Sequence, residues 1–219
     1  MPKYATRPIF LPQKSALGFF SEVSVKFEYH SGFAQSQKQK SIRSLHEQSN
    51  LHPVLEVSTR SEHSIGYELS AFNLTYMNKP IESLFQGSKC FENGGPYTDI
   101  YSMPPLQAKK DGRIKTSGNI NGFIFDGRRW LLVPKSAFYD WLYINALALN
   151  KSYFYDKLNH YGGFSDIEFN PKKSISTQAR SCAIFVCLCA NGLLEDAIQD
   201  PERFIEIIYG ASAHQPSLF

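Results

Sequence analysis

Hydrophobic and polar residues alternate most cleanly between Phe19 and Tyr29. Val23, Val25, Phe27 and Tyr29 fall on one side, and Glu22, Ser24, Lys26 and Glu28 on the other. That two-residue period predicts a half-buried strand. His30-Ser31-Gly32 turns the chain into a helix over 34–50 with a thin apolar side at Ile42 and Leu45. A short strand is expected at 54–58 and a polar connection at 60–66. Asn78-Lys79-Pro80 predicts a turn and a helix start, because the missing proline N–H costs nothing in a first helical turn. From Ile81 the spacing is helical, with Ile81, Leu84, Phe85 and Ser88 on one side. Residues 102–118 are polar, broken by Pro and Gly, and predicted as loop. Two arms at 120–125 and 128–133 flank Asp126-Gly127, the commonest two-residue hairpin signal.

Helices follow at 136–150, capped by Ser136, and at 152–160. Alternation returns at 164–170, placing Ile167 and Phe169 inward and Asp166, Glu168 and Asn170 on the other face. An apolar helix over 176–191 is closed by Gly192, and Asp200-Pro201 opens a last helix ending at Gly210. Residues 1–18 hold three prolines and little periodicity, which predicts an extended arm. Residues 211–219 are expected to be a flexible tail. The fold class is α+β: one domain over 19–210, largely helical with a small antiparallel sheet.

Composition sharpens this picture only a little. A chain of 219 residues, 42% hydrophobic and 14% aromatic, can bury one sizeable core. The net charge of +3 permits contact with nucleic acid without arguing for it. The chain has no run of 18 apolar residues, and MPKYATRPIF lacks the apolar region of a signal peptide, so a cytoplasmic protein with no membrane span is expected. Four cysteines are too few for a disulfide framework; Cys182, Cys187 and Cys189 are expected as small core residues, and nothing assigns Cys90 a role. The six histidines are scattered without metal-ligand spacing, so no metal is expected.

The chemistry concentrates on the helix that starts at Ile81. Glu82, Gln86 and Lys89 line a second stripe beside the apolar one, stacking a carboxylate, an amide and an amine. Such a stripe is ordinarily a solvated face, and Glu82 in a first turn also suits the helix dipole. Asn93-Gly94-Gly95-Pro96 must turn, and backbone N–H groups in such turns can cradle phosphate. Asp99 beyond it is a polar contact or an Asx turn. Asp166 and Glu168, two residues apart on one face, are like charges in reach; burial would raise the pKa of at least one. Arg180 lies near the start of its helix, where a ligand phosphate is favoured.

Leu69-Ser70-Ala71-Phe72-Asn73, followed by Glu82-Ser83-Leu84-Phe85-Gln86-Gly87-Ser88-Lys89, resembles the paired LSNF and EHxFQxxK motifs of the NADAR family. Ala71 departs from the first motif, and Ser83 stands where most members carry histidine. The GGPYTD run after the helix and HSGFAQSQKQKSIRSLH near the N-terminus resemble the branch that partners DarT-type DNA ADP-ribosyltransferase toxins. Residues 19–60 are then a strand-helix-strand addition particular to that branch.

The resemblance implies a glycohydrolase that removes ADP-ribose from the guanine amino group of DNA, an antitoxin with ADP-ribosylated DNA as partner, a DarT-type toxin as a second one, and no cofactor. It implies that Glu82 stabilises positive charge on the ribose or activates water, and that Lys89 is a nucleophile if burial deprotonates it. Asn73 and Gln86 would hydrogen-bond ribose or base, and Phe72 and Trp130 would stack on a ring, with Trp141 the other candidate. Either Asp166 or Glu168 would be the family's second acid, with the usual WG after it replaced by Asn170-Pro171-Lys172-Lys173. Lys38, Lys40 and Arg43 on the N-terminal helix would hold nucleic-acid phosphates. Two other classes fit the same residues: a non-catalytic module that binds ADP-ribose or modified nucleic acid, and an N-glycosidase acting on a small riboflavin-pathway-like metabolite. A general nucleic-acid-binding protein would rest on the basic helix alone.

Overall fold

Residues 4–12 are not an arm: in the computed structural model Tyr4–Pro12 is a strand of a four-stranded sheet. The structure describes residues 2–13, 18–171, 174 and 177–210. Its architecture is α+β, and the contacts divide the described residues into two compact units, those within 1–70 and 147–194 and those within 71–146 and from 195 on.

In the first unit the strand order is Phe20–Glu28, Tyr4–Pro12, Gly163–Ser165, Val54–Glu56. Neighbours are antiparallel except the last two, which run parallel. Tyr4–Pro12 pairs with Phe20–Glu28 along its whole length, but with the Gly163–Ser165 strand only at Ile9 and Phe10. Pro8 and Pro12 therefore sit where a second neighbour would not use their missing N–H, which is how a strand tolerates them. Ile9, Val25, Phe27, Ile42, Leu45, Val54 and Ile167 pack as one cluster under the helix Gln35–Ser49. Val23, expected inward, is 39% exposed, whereas Val25 and Phe27 are buried.

The alternation at 164–170 is a strand only over Gly163–Ser165. Asp166 then accepts the N–H groups of Glu168 and Phe169 at 3.0 and 3.1 Å, an Asx turn that puts Asp166 inside and Glu168 outside. The two carboxylates thus do not share a strand face. Gln178–Ala190 is the buried helix, with Cys182 and Cys187 in the core and Cys189 half-buried. Lys172, Lys173 and the expected helix start at Ser176 lie outside the described residues.

In the second unit a tight hairpin, Thr75–Tyr76 against Lys79–Pro80, turns at Met77-Asn78, both left-handed. It feeds the helix Ile81–Gly87. A three-stranded sheet orders Lys89–Phe91, Ile120–Phe125 and Arg128–Trp130, with Asp126 and Gly127 at φ 49° and 72° in the expected hairpin turn. The region read as loop holds helices Pro105–Lys110 and Arg113–Thr116. Pro105 starts a helix here, the one place where its lack of an N–H is harmless, and elements this short carry no periodicity to read. The half-buried Phe85 and Phe123 and the buried Phe125, Trp130, Phe138 and Trp141 pack as one aromatic cluster, with the Phe123 and Phe138 centroids 4.7 Å apart. The helix Pro201–Tyr209 begins at Asp200, which accepts the Arg203 N–H at 2.8 Å. The expected tail at 211–219 lies outside the described residues. Among those described, no helix is long and apolar enough to cross a membrane.

Candidate active site

The helix Ile81–Gly87 is held at its start by the motif that precedes it. Pro80 occupies the N-cap, one residue earlier than expected, so the first helical donors need partners. The Leu74 carbonyl takes the Ile81 N–H at 3.0 Å and the Ala71 carbonyl takes that of Glu82 at 2.9 Å. Those two bonds tie the 71–74 stretch to the helix. Ile81 and Leu84 anchor it in the core, and Ser83, fully buried, donates its hydroxyl to the Met103 carbonyl at 2.8 Å. The helix stops at Gly87, where a Cβ would lie 2.6 Å from the Tyr101 ring and 2.9 Å from the Tyr97 carbonyl oxygen. Lys89 is therefore not on the helix; it opens the next strand, opposite Phe123.

The carboxylate, amide and amine nevertheless meet. Glu82 is 7% exposed. Gln86 Nε2 donates to Glu82 Oε1 at 2.9 Å, and Lys89 Nζ donates to Gln86 Oε1 at 2.7 Å. One amide thus fixes both ionisable groups at once, which neither a leucine nor a carboxylate at position 86 would do. Lys89 Nζ also lies 4.8 Å from the Phe85 ring centre. Burial pushes the Lys89 amine down to about 8, with Glu82 pulling it up and Lys109 opposing. Roughly a tenth of it is then neutral at pH 7. No helical period over 102–118 announces Lys109; its Nζ stands 3.8 Å from Glu82 Oε1 and 5.8 Å from the Phe72 ring.

The other residues expected in this unit divide. Phe72 is half-buried beside Lys109, and Asn73 is exposed. Trp130 is 2% exposed, its ring 5.2 Å from Trp141 and 5.6 Å from Phe138, so it is a core residue rather than a stacking surface. Trp141 is buried too, and its Nε1 has no hydrogen-bond partner among the described residues. Asp99 is exposed and held in a fork by Arg113 at 3.1 and 2.7 Å, which places its carboxylate below the usual range. The Gly94-Gly95 turn is packed, not open: a Cβ on Gly95 would lie 2.3 Å from the Lys89 carbonyl oxygen. Cys90 is buried.

In the first unit Asp166 has a partner that spacing did not suggest. Burial, then the carboxylate of Glu56, pushes Asp166 up to about 8, while Thr177 Oγ1 donates to it at 3.2 Å. Glu56 is itself raised by burial and accepts from Ser58 and Ser165 hydroxyls at 2.6 Å and from the Ile167 N–H at 2.9 Å. His46 Nε2 lies 2.8 Å from the Ser165 hydroxyl, and burial takes this imidazole down to about 4. The signal for Glu56 was a lone acid within the apolar run Val54-Leu55-Glu56-Val57. Glu168 binds Lys38 at 3.2 Å and Arg60 at 3.6 Å, and Arg43 is paired with Glu62. Of the expected basic stripe only Lys40 is both exposed and outside these ion pairs. Arg180 is 8% exposed, over the Phe20 ring at 5.6 Å. A groove of about 520 Å³ on the Tyr4–Pro12 and Phe20–Glu28 strands, lined by Arg7, Glu22, Lys26 and Asn170, contains none of the expected site residues.

Comparison with known proteins agrees with the motif reading. The model of the DarT1-associated NADAR antitoxin family matches residues 5–217. No curated protein matches the chain. The match runs through both motifs and nearly the whole sequence, and the chain belongs to the NADAR antitoxin family associated with DarT1.

Proposed function

We propose that the protein is a glycohydrolase that removes ADP-ribose from the guanine amino group of DNA and so reverses the action of a DarT-type toxin. The observation that carries this reading is the Glu82–Gln86–Lys89 chain: a buried carboxylate and a lysine brought down to about 8, fixed to one amide. Breaking an N-glycosidic bond builds positive charge on the ribose, and Glu82 is the group to stabilise that charge and take a proton from the attacking water. The water oxygen bonds to the anomeric carbon as the bond to guanine nitrogen breaks. That nitrogen leaves with a proton, for which the Lys89 ammonium is a donor with a pKa near the working pH. The neutral fraction of Lys89 has a second route: its nitrogen bonds to the anomeric carbon as the bond to the guanine nitrogen breaks, and the proton lost by the amine goes to the departing guanine amine. The ribose ring then opens to a Schiff base, and water hydrolyses that imine to ADP-ribose and the free lysine.

The test is release of ADP-ribose from DNA modified on guanine, by the wild type and by Lys89→Ala, with borohydride added in parallel. Release by the wild type supports the reading, and trapping of a protein–sugar adduct assigns the second route. Binding without release indicates a reader module. Release from small N-glycosides only moves the substrate to a metabolite.

A further inference from the structure

We infer that Lys109 is the residue of this site that meets the phosphates of the substrate, exchanging Glu82 for them when the ligand arrives. This rests on the glycohydrolase reading above. Lys109 Nζ is 3.8 Å from Glu82 Oε1, too far for a hydrogen bond, and its side chain is 58% exposed while that of Glu82 is 10% exposed. A pair so long and so open to water is weak, and an anion that offers better geometry displaces it.

The backbone beneath Lys109 is fixed. Ala108 beside it is fully buried, and the chain entering the Pro105–Lys110 helix is pinned by the Ser83 hydroxyl on the Met103 carbonyl. The long side chain is the movable part. Within its reach stands the Phe72 ring, 5.8 Å away, a flat face for a sugar or base beside a positive charge for a phosphate.

The charges around Glu82 point the same way. Lys89 and Lys109 both face this carboxylate, so among the described residues the cluster holds two cations to one anion until a further anion joins it. A neutral riboside would leave that excess in place, whereas the diphosphate of ADP-ribose neutralises it. Transfer of Lys109 to the phosphate also leaves Glu82 bound to Gln86 alone, with an oxygen open to water and ribose. Lys109 is thus assigned discrimination between phosphorylated and unphosphorylated N-ribosides. It takes no part in bond cleavage.

The experiment compares the full chain, Lys109→Ala and Lys109→Arg on two substrates: DNA carrying ADP-ribose on guanine, and DNA carrying ribose alone there. For Lys109→Ala the KM for the ADP-ribosyl substrate is expected to rise about tenfold or more, the typical weight of a charged hydrogen bond, with kcat little changed. The KM for the ribosyl substrate should not move, and Lys109→Arg should restore most of the loss. An equal effect on both substrates, or no effect on either, overturns the inference while leaving the glycohydrolase reading intact. No release by the wild type from either substrate overturns the glycohydrolase reading, and this inference with it. A thermal melt of Lys109→Ala within a degree or so of wild type excludes a folding defect, as expected for an exposed side chain.

Discussion

The low pKa of Lys89 makes a prediction about stability that is separate from chemistry. Burial brings its amine from 10.5 to about 8. At about 1.4 kcal/mol per tenfold, holding Lys89 charged in the folded state costs about 3 kcal/mol. The sign follows from proton counting. Between pH 8 and 10.5 the unfolded chain binds a proton at this lysine that the folded chain does not, so stability rises with pH across that window. Below pH 8 the penalty is fully present. Lys89→Met keeps the stem and removes the charge, but leaves the Gln86 Oε1 without its donor, which offsets about 1–3 kcal/mol. The variant is therefore expected to equal or exceed wild type in stability at pH 7. The difference between the two should shift by about 2–3 kcal/mol in favour of wild type by pH 10.5. Urea titrations of both proteins at pH 7, 8.5 and 10 measure this. A difference that stays constant with pH would show that Lys89 is solvated and ordinary, and the reasoning about its reactivity would fall with it.

The remaining expectations concern the supports of the site. Gly87→Ala drives a methyl group to 2.6 Å from the Tyr101 ring and 2.9 Å from the Tyr97 carbonyl, which cannot retreat like a flexible side chain; a loss of about 1–3 kcal/mol by denaturant titration is expected. Trp130→Phe should lower the melting temperature without raising KM, because Trp130 packs on Trp141 and Phe138 in the core; a KM effect at unchanged stability would restore it to the binding surface. Asp166 is held near 8 against an ordinary 3.8, so the folded chain binds the extra proton between those values and stability falls as pH rises through them. Asp166→Asn should flatten that slope between pH 4 and 8, and an unchanged slope would mean that Asp166 and Glu56 do not share the burden.

What could be read from sequence was what is local. The Phe20–Glu28 strand, the Gln35–Ser49 helix with Ile42 and Leu45 inward, and the Asp126-Gly127 hairpin all follow from periods or turn chemistry contained within the element. The Glu82–Gln86–Lys89 alignment survived even though the helix ends before Lys89, because the following strand carries the amine back to the amide. The misses share a cause in partners remote along the chain. Tyr4–Pro12 is a strand because Phe20–Glu28 and Phe164-Ser165 pair with it, and its prolines hid that. Alternation puts Asp166 and Glu168 on one face because it cannot reveal an Asx turn that ends a strand. Glu56 meets Asp166 through the parallel pairing of Val54–Glu56 with Gly163–Ser165, which no local pattern announces. Lys109 was missed with its helix. The ion pairs of Lys38 and Arg43 leave no local trace in the sequence, because their acids, Glu168 and Glu62, lie on other segments.

In the proposed reaction Glu82 is the carboxylate that acts on the ribose. Glu82→Gln keeps the size and an oxygen for the Gln86 amide while removing the charge. Its single-turnover release of ADP-ribose from guanine-modified DNA, measured with its affinity for the same DNA, is the most direct test. Release slowed about 10²-fold or more, with binding within a few-fold of wild type, is the expected result. Release at the wild-type rate would contradict the account.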